Sequence, residues 1–201
     1  MVRTHPQWLE TRRLIREGRI GTLKSINGFF SYYNPDPANI RNQLKLGGGA
    51  LMDIGCYPIT ISRWIFEAEP RRVLGLIDCD AEFGTDTLTS AVLDFAQGQS
   101  TFTCSTRLAP YQRMIFHGTK GRIEVLIPFN APNDRPTQIV INDGDLIEIP
   151  VCDQYEIQGT LFSRALRENI EQPIPLEDAI NNMVVIDAVF RSAANGQWEI
   201  L

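Results

Sequence analysis

Asp53 and Tyr57 stand four residues apart in the stretch GGGALMDIGCYPITISRW, residues 47–64. On a helix that spacing puts both side chains on one face, one turn apart. A carboxylate can accept a hydrogen bond from a substrate hydroxyl, and a phenol can give or take a proton, so the pair is an acid/base site in outline. Asp53 lies in the first helical turn, where the helix dipole favours its ionised form. A free tyrosine ionises at about pH 10, so Tyr57 acting as a base at neutral pH needs a nearby cation. The same pattern fits a carboxylate near a helix start beside a core tyrosine, and spacing alone leaves both open.

The three glycines before the pair raise a second question. A dinucleotide fingerprint needs G-x-G-x-x-G between a strand and a helix, with an acid about 20 residues on. Gly47, Gly48 and Gly49 are consecutive and follow a polar loop, and no G-x-x-x-x-G-K-[ST] is present. Packing is the stronger reading, because glycines ahead of a helix let backbone approach backbone.

The elements that must position these residues follow from periodicity. Residues 6–17 read as a helix, with Pro6 in the first turn and Gly18 and Gly21 closing it. TLKSINGFFSYY is β-branched and aromatic, hence a strand. NPDPANIRN is a loop, and it feeds the glycine-rich helix; its Asn39, Arg41 and Asn42 can hydrogen-bond a ligand or simply be solvated. The second helix covers residues 50–66, with a kink expected near 54–58 because Pro58 lacks a donor. VLGLIDCDAE is the next strand. Three hairpins follow: TLTSAVLDF with STFTCSTRL, QRMIFHG with GRIEVLI, and TQIVIND with DLIEIPV. Two helices end the chain, one from near Tyr155 to before Pro173, the other from Leu176 to a Gly196 cap. The expected fold is a single α+β domain over residues 1–201. It has a large open, mostly antiparallel (mixed) sheet with helices gathered on one face. The opposite face, left apolar and open, should be covered, which points to a homodimer or tetramer.

Composition narrows the partners. The net charge is −5 with no basic run, which argues against nucleic acid and anionic membranes. No apolar segment reaches the roughly 18–20 residues of a membrane span. Cys56, Cys79, Cys104 and Cys152 are scattered and far from His5 and His117, so no metal site is expected and a reduced, cytoplasmic protein is.

Residues 47–64 resemble the G-G-G-A-L-x-D-x-G-x-[HY] signature of the Gfo/Idh/MocA oxidoreductases. VRTHPQW and GRIGTLKSINGFFSYYN are similar to the start of that family's C-terminal domain. HGTKGRIEVLIPFNAP resembles its G-T-K-G hairpin, and PIPLEDAINNMVVIDAVFRSAANGQWE its closing helix. Tyrosine at the [HY] position resembles the branch of dihydrodiol and D-xylose dehydrogenases and glucose–fructose oxidoreductase. Thr60, where inositol-type members carry an acid, makes inositol chemistry less expected.

The resemblance implies the substrate and oligomerisation domain of an NAD(P)-dependent enzyme that moves a hydride between a sugar or vicinal diol and the nicotinamide. Tyr57 would be the acid/base group, and Asp53 would bind a substrate hydroxyl or orient that group. Arg3 and His5 would enter from the cofactor side, though His5 before Pro6 equally suits a helix N-terminal fixture. Phe129 and Asn130 would border the pocket or simply anchor a turn. The family cation is a lysine of an E-K-P motif at the edge of a Rossmann domain. Neither is present here, and Lys24, Lys45 and Lys120 match it nowhere. These 201 residues are therefore expected to bind no NAD or NADP by themselves and to lack dehydrogenase activity. The alternative is a stand-alone oligomeric interaction or ligand-binding module that has lost redox chemistry. Retention of both Asp53 and Tyr57 favours the enzyme.

Overall fold

The computed structural model describes residues 1–142 and 144–201; Asp143, expected at the end of TQIVIND, lies outside the described residues. Among the described residues nine strands form one sheet: β1 (Leu23–Tyr33), β2 (Arg72–Cys79), β3 (Asp86–Asp94), β4 (Gln99–Ser105), β5 (Arg107–Gly118), β6 (Arg122–Val125), β7 (Thr137–Ile141), β8 (Asp145–Ile149) and β9 (Glu199–Ile200). Their order is β8-β7-β6-β5-β1-β4-β3-β2-β9. β1 is central, parallel to β4 and antiparallel to β5, and the remaining neighbours pair antiparallel. The expected mixed open sheet is thus the one observed.

Alternation along β1 divides the two faces. Gly28 faces helix α2 (Cys56–Phe66): a Cβ there would lie 3.0 Å from Pro58 Cβ and 2.8 Å from Met114 Sδ, so glycine lets the helix close on the sheet centre. Ile26 and Phe30 flank it, both buried. Further along, Ser62 Oγ meets Ser100 Oγ at 2.7 Å and Phe66 stacks on Phe95 with centroids 4.6 Å apart. On the same face α1 (Pro6–Arg16) sets Trp8 edge-on against Phe116 at 6.0 Å, and α4 (Leu176–Asn195) packs Val189 against Gly75 of β2. α3 (Gln154–Glu168) lies further out, its buried residues being Gln154 and Ala165.

The other face is not the apolar surface expected. Asn27, Thr101, Thr103 and Ser90 alternate there with Phe29, Val92, Leu74 and Leu76. Asn27 Nδ2 donates to Thr101 Oγ1 at 2.7 Å, and the Ser90 and Thr103 hydroxyls meet at 2.8 Å. The exposed face is therefore mixed, with polar residues bonded across strands.

Two local departures matter for the site. A π-helical turn, Leu51–Gly55, leads directly into α2, and Pro58, from which a kink is expected, lies in the first turn of α2, where its missing donor breaks no helical bond within α2; a π turn takes in one more residue than an α turn. The run STFTCSTRL is not one strand: the chain turns at Thr106, and Arg107 begins the long β5. A register shift between Ser31 and Tyr33 absorbs Pro110.

Candidate active site

A cleft of about 370 Å³ opens where the end of β1 meets the π-helical turn, walled in part by Tyr32, Arg41, Asp53, Tyr57, Asn130 and Tyr155. The glycines build it from below. A Cβ on Gly48 would sit 2.6 Å from Arg41 O, and one on Gly49 only 1.9 Å from Asp86 Oδ1. Gly49 also takes φ 127°, which disfavours any side chain. Its N–H donates to Arg41 O at 2.9 Å. The glycines are thus a packing device, as the sequence favoured, and they press the Arg41 loop against the start of the helix.

Asp86 holds that start. It is buried, and its Oδ2 accepts from Leu51 N at 2.6 Å and from Thr89 Oγ1 at 3.1 Å. Burial raises its pKa above the ordinary aspartate value, and the bonds from main-chain N–H groups work against that. Nothing local in the sequence marks Asp86 as the holder of a helix start, because the Leu51 N–H it accepts from lies 35 residues upstream.

Asp53 has a different setting. Oδ1 accepts from Arg41 Nε at 2.7 Å, and Oδ2 accepts from the Tyr32 hydroxyl at 2.6 Å. The hydrogen bond to Asp53 holds the Arg41 guanidinium above its usual pKa. Burial first, and then the bond to Asp53, raises the Tyr32 phenol. In the sequence Tyr32 is one of the aromatic residues of the strand TLKSINGFFSYY, where sheet packing is the plainer role. The available signal is its alternation with Gly28 and Phe30, which sends it to the helix face at the end of the central strand.

Tyr57 lines the same cleft, its ring packed against Phe30 and Phe129 with centroids 5.9 and 5.5 Å away. Among the described residues its hydroxyl has no hydrogen-bond partner. Burial, followed by the nearby Cys56, Tyr155 and Asp53 groups, pushes the phenol up to about 12, against a smaller opposing pull from Arg41. Tyr57 also borders a second cavity of about 370 Å³, which Met52, Cys56, Thr60 and Met183 help to line. Lys24, Lys45 and Lys120 line neither cavity.

The other residues singled out in the sequence divide cleanly. Arg41 and Asn130 line the cleft. Asn39 Oδ1 accepts from Arg41 N at 3.1 Å and so caps a short turn. Asn42 is buried, its amide donating to Asn34 O and Asp36 O and accepting from Arg107, so it fastens the loop. Phe129 is fully buried beneath Tyr57, its loop held by Gln112 Oε1, which accepts from Phe129 N at 2.9 Å and Asn130 N at 3.1 Å. His5 is the helix fixture: Nδ1 accepts from Gln7 N at 3.1 Å, and burial lowers its pKa. Arg3 pairs with Asp178 and borders the second cavity instead of the cleft. Thr60 Oγ1 donates to Asn182 Oδ1 at 2.9 Å, joining α2 to α4. No helix among the described residues is long and apolar enough to cross a membrane.

Residues 8–124 match the model of the GFO/IDH/MocA C-terminal domain. An uncharacterized oxidoreductase of Rhizobium meliloti is 41% identical over 208 residues, which take in 99% of this chain and 62% of that protein. D-xylose 1-dehydrogenase (NADP(+)) 2 of Haloferax volcanii is 29% identical over 203 residues, 98% of this chain and 61% of its own. The crystal structure of aldose-aldose oxidoreductase from Caulobacter crescentus, complexed with glycerol, shares the fold with a TM-score of 0.87 at 21% identity, covering 100% of this chain and 62% of that one. The chain thus spans about three fifths of the length of these relatives.

Proposed function

The chain belongs to the GFO/IDH/MocA oxidoreductases, matching their C-terminal domain, and from that premise we propose that residues 1–201 are the substrate-binding part of an NAD(P)-dependent oxidoreductase of sugars or vicinal diols. The observation that carries this is the cleft itself: it is lined by an Asp53 carboxylate held from both sides and by Tyr57, whose hydroxyl has no partner among the described residues. Asp53 accepts a hydrogen bond from a substrate hydroxyl and fixes the sugar. Tyr57, with its phenol pushed up to about 12, keeps its proton at neutral pH. It is poised to give that proton to a substrate carbonyl oxygen on reduction. In the oxidative direction it needs a cation from outside the described residues to lower its pKa.

The residues present do not fit the phosphates of a dinucleotide. Gly48 and Gly49 are turned against Arg41 O and Asp86, and so offer no cradle. The cofactor is therefore assigned to a part of the protein beyond these residues. We assign the oligomer contact to the mixed open sheet face, and light scattering showing a strictly monomeric species at micromolar concentration contradicts that assignment.

The test is to incubate residues 1–201 with NADP and a panel of aldoses and follow absorbance at the reduced-nicotinamide band. No turnover is expected from these residues alone. Steady turnover means that they carry a cofactor site of their own and sinks this division of labour.

A further inference from the structure

Arginine and carboxylate side chains meet by preference as a two-pronged pair, two parallel N–H···O bonds. Arg41 and Asp53 do not. Arg41 uses Nε alone, at 2.7 Å from Oδ1, and its terminal amino groups donate to no side chain among the described residues. The second carboxylate oxygen is already taken by the Tyr32 hydroxyl at 2.6 Å. The Arg41 side chain is 43% exposed at the cleft edge, so burial does not hold it in this one-pronged pose.

We propose that Tyr32 is the positioning residue of the cleft: by taking the Asp53 Oδ2 lone pair that a fork with Arg41 would use, it blocks the two-pronged pair. This leaves one lone pair on each carboxylate oxygen, together with the free Arg41 amino groups, for adjacent hydroxyls of a vicinal diol. This deepens the polyol-site reading and rests on it. A carboxylate has about four acceptor positions, and Asp53 has two in use. Two neighbouring hydroxyls each donate to one oxygen, and their own oxygens accept from Arg41, so a diol fills the arrangement where a lone hydroxyl fills half of it.

Tyr32 is suited to the task because it is fixed. It is the last residue but one of the central strand, on the helix face two residues beyond Phe30, and Asn34 O two residues further on is held by Arg107. The stem of Arg41 is fixed as well, its carbonyl accepting from Gly49 N. What remains free to turn is the guanidinium. Without the phenol it rotates to take both carboxylate oxygens, and the acceptors and donors a sugar needs satisfy each other instead.

Tyr32→Phe tests this in two independent ways. A crystal structure of the ligand-free variant is expected to show an Arg41 terminal nitrogen within hydrogen-bond distance of Asp53 Oδ2. By nuclear magnetic resonance titration, D-xylose is expected to bind the variant roughly tenfold more weakly than the wild type. In an Arg41→Lys background the same substitution is expected to weaken binding only about twofold, since lysine cannot form the fork. Tyr33→Phe, on the opposite face, leaves binding unchanged. An unmoved Arg41 in the variant structure, or an equal effect in both backgrounds, overturns the proposal and leaves Tyr32 a packing residue. If the wild type takes up no D-xylose, the polyol reading falls, while the variant structure still decides whether Tyr32 holds the pair open.

Discussion

Two arginine–carboxylate clusters lie at opposite ends of α2, and they serve opposite ends. Between α2 and α4, Arg63 is 4% exposed and fully engaged. Nε and Nη2 donate to Glu69 at 2.6 and 2.8 Å, and Nη1 reaches Asp178 O and Asn182 Oδ1, each at 3.2 Å. At the cleft, Arg41 makes a single bond, Asp53 keeps acceptor capacity, and Tyr57 has no partner among the described residues. The first cluster ties two helices together and has nothing left to offer a ligand. A polar cluster becomes a binding site when the fold holds its members in place but leaves some of their donors and acceptors free.

The largest effect expected from that contrast is on stability. Arg63→Met leaves Glu69 without its arginine and removes the donor to Asp178 O and Asn182 Oδ1, and we expect a loss of about 3 kcal/mol in urea unfolding, the low end for a broken buried pair because Glu69 is half-exposed. Arg41→Met is expected to cost less than about 1 kcal/mol, as for exposed pairs, while abolishing measurable sugar binding. Equal stability losses at the two positions break the comparison.

A smaller effect sharpens it through pH. Asp86 belongs with the closed group, and its pKa is raised by burial. A carboxyl that is harder to ionise folded than unfolded binds more protons in the folded state. Its favourable contribution is complete below the ordinary aspartate value of about 3.9 and is lost as pH rises through the folded value. Stability of the wild type relative to Asp86→Asn is therefore expected to fall as pH rises above about 4, in urea titrations at a series of pH values. A difference that stays flat with pH places Asp86 outside the closed group.

How much of this the sequence disclosed depends on how far apart the interacting residues lie. The β1 strand, the hairpins and the final helix were legible because their periodicity and turn residues are local. Asp53 and Tyr57 were legible as neighbours on one helix, and the glycines as a packing device. Tyr32 was not, because its bond to Asp53 spans 21 residues and depends on the π-helical turn. Asp86 escaped for the same reason, standing on β3 while it caps a helix start on another element. Asn39, Asn42 and His5 carry chemistry suited to ligands, but backbone groups of their own loop or helix claim it first. Arg107 went unremarked, yet it fastens the Asn34–Asn42 region through both ends.

The most direct test of the central claim, that this cleft is the polyol site, is to titrate D-xylose into isotope-labelled protein and map the perturbed residues by nuclear magnetic resonance. The account predicts saturable shifts at Tyr32, Arg41 and Tyr57 that vanish in Asp53→Asn. Saturable shifts centred elsewhere, or binding untouched by Asp53→Asn, contradict it.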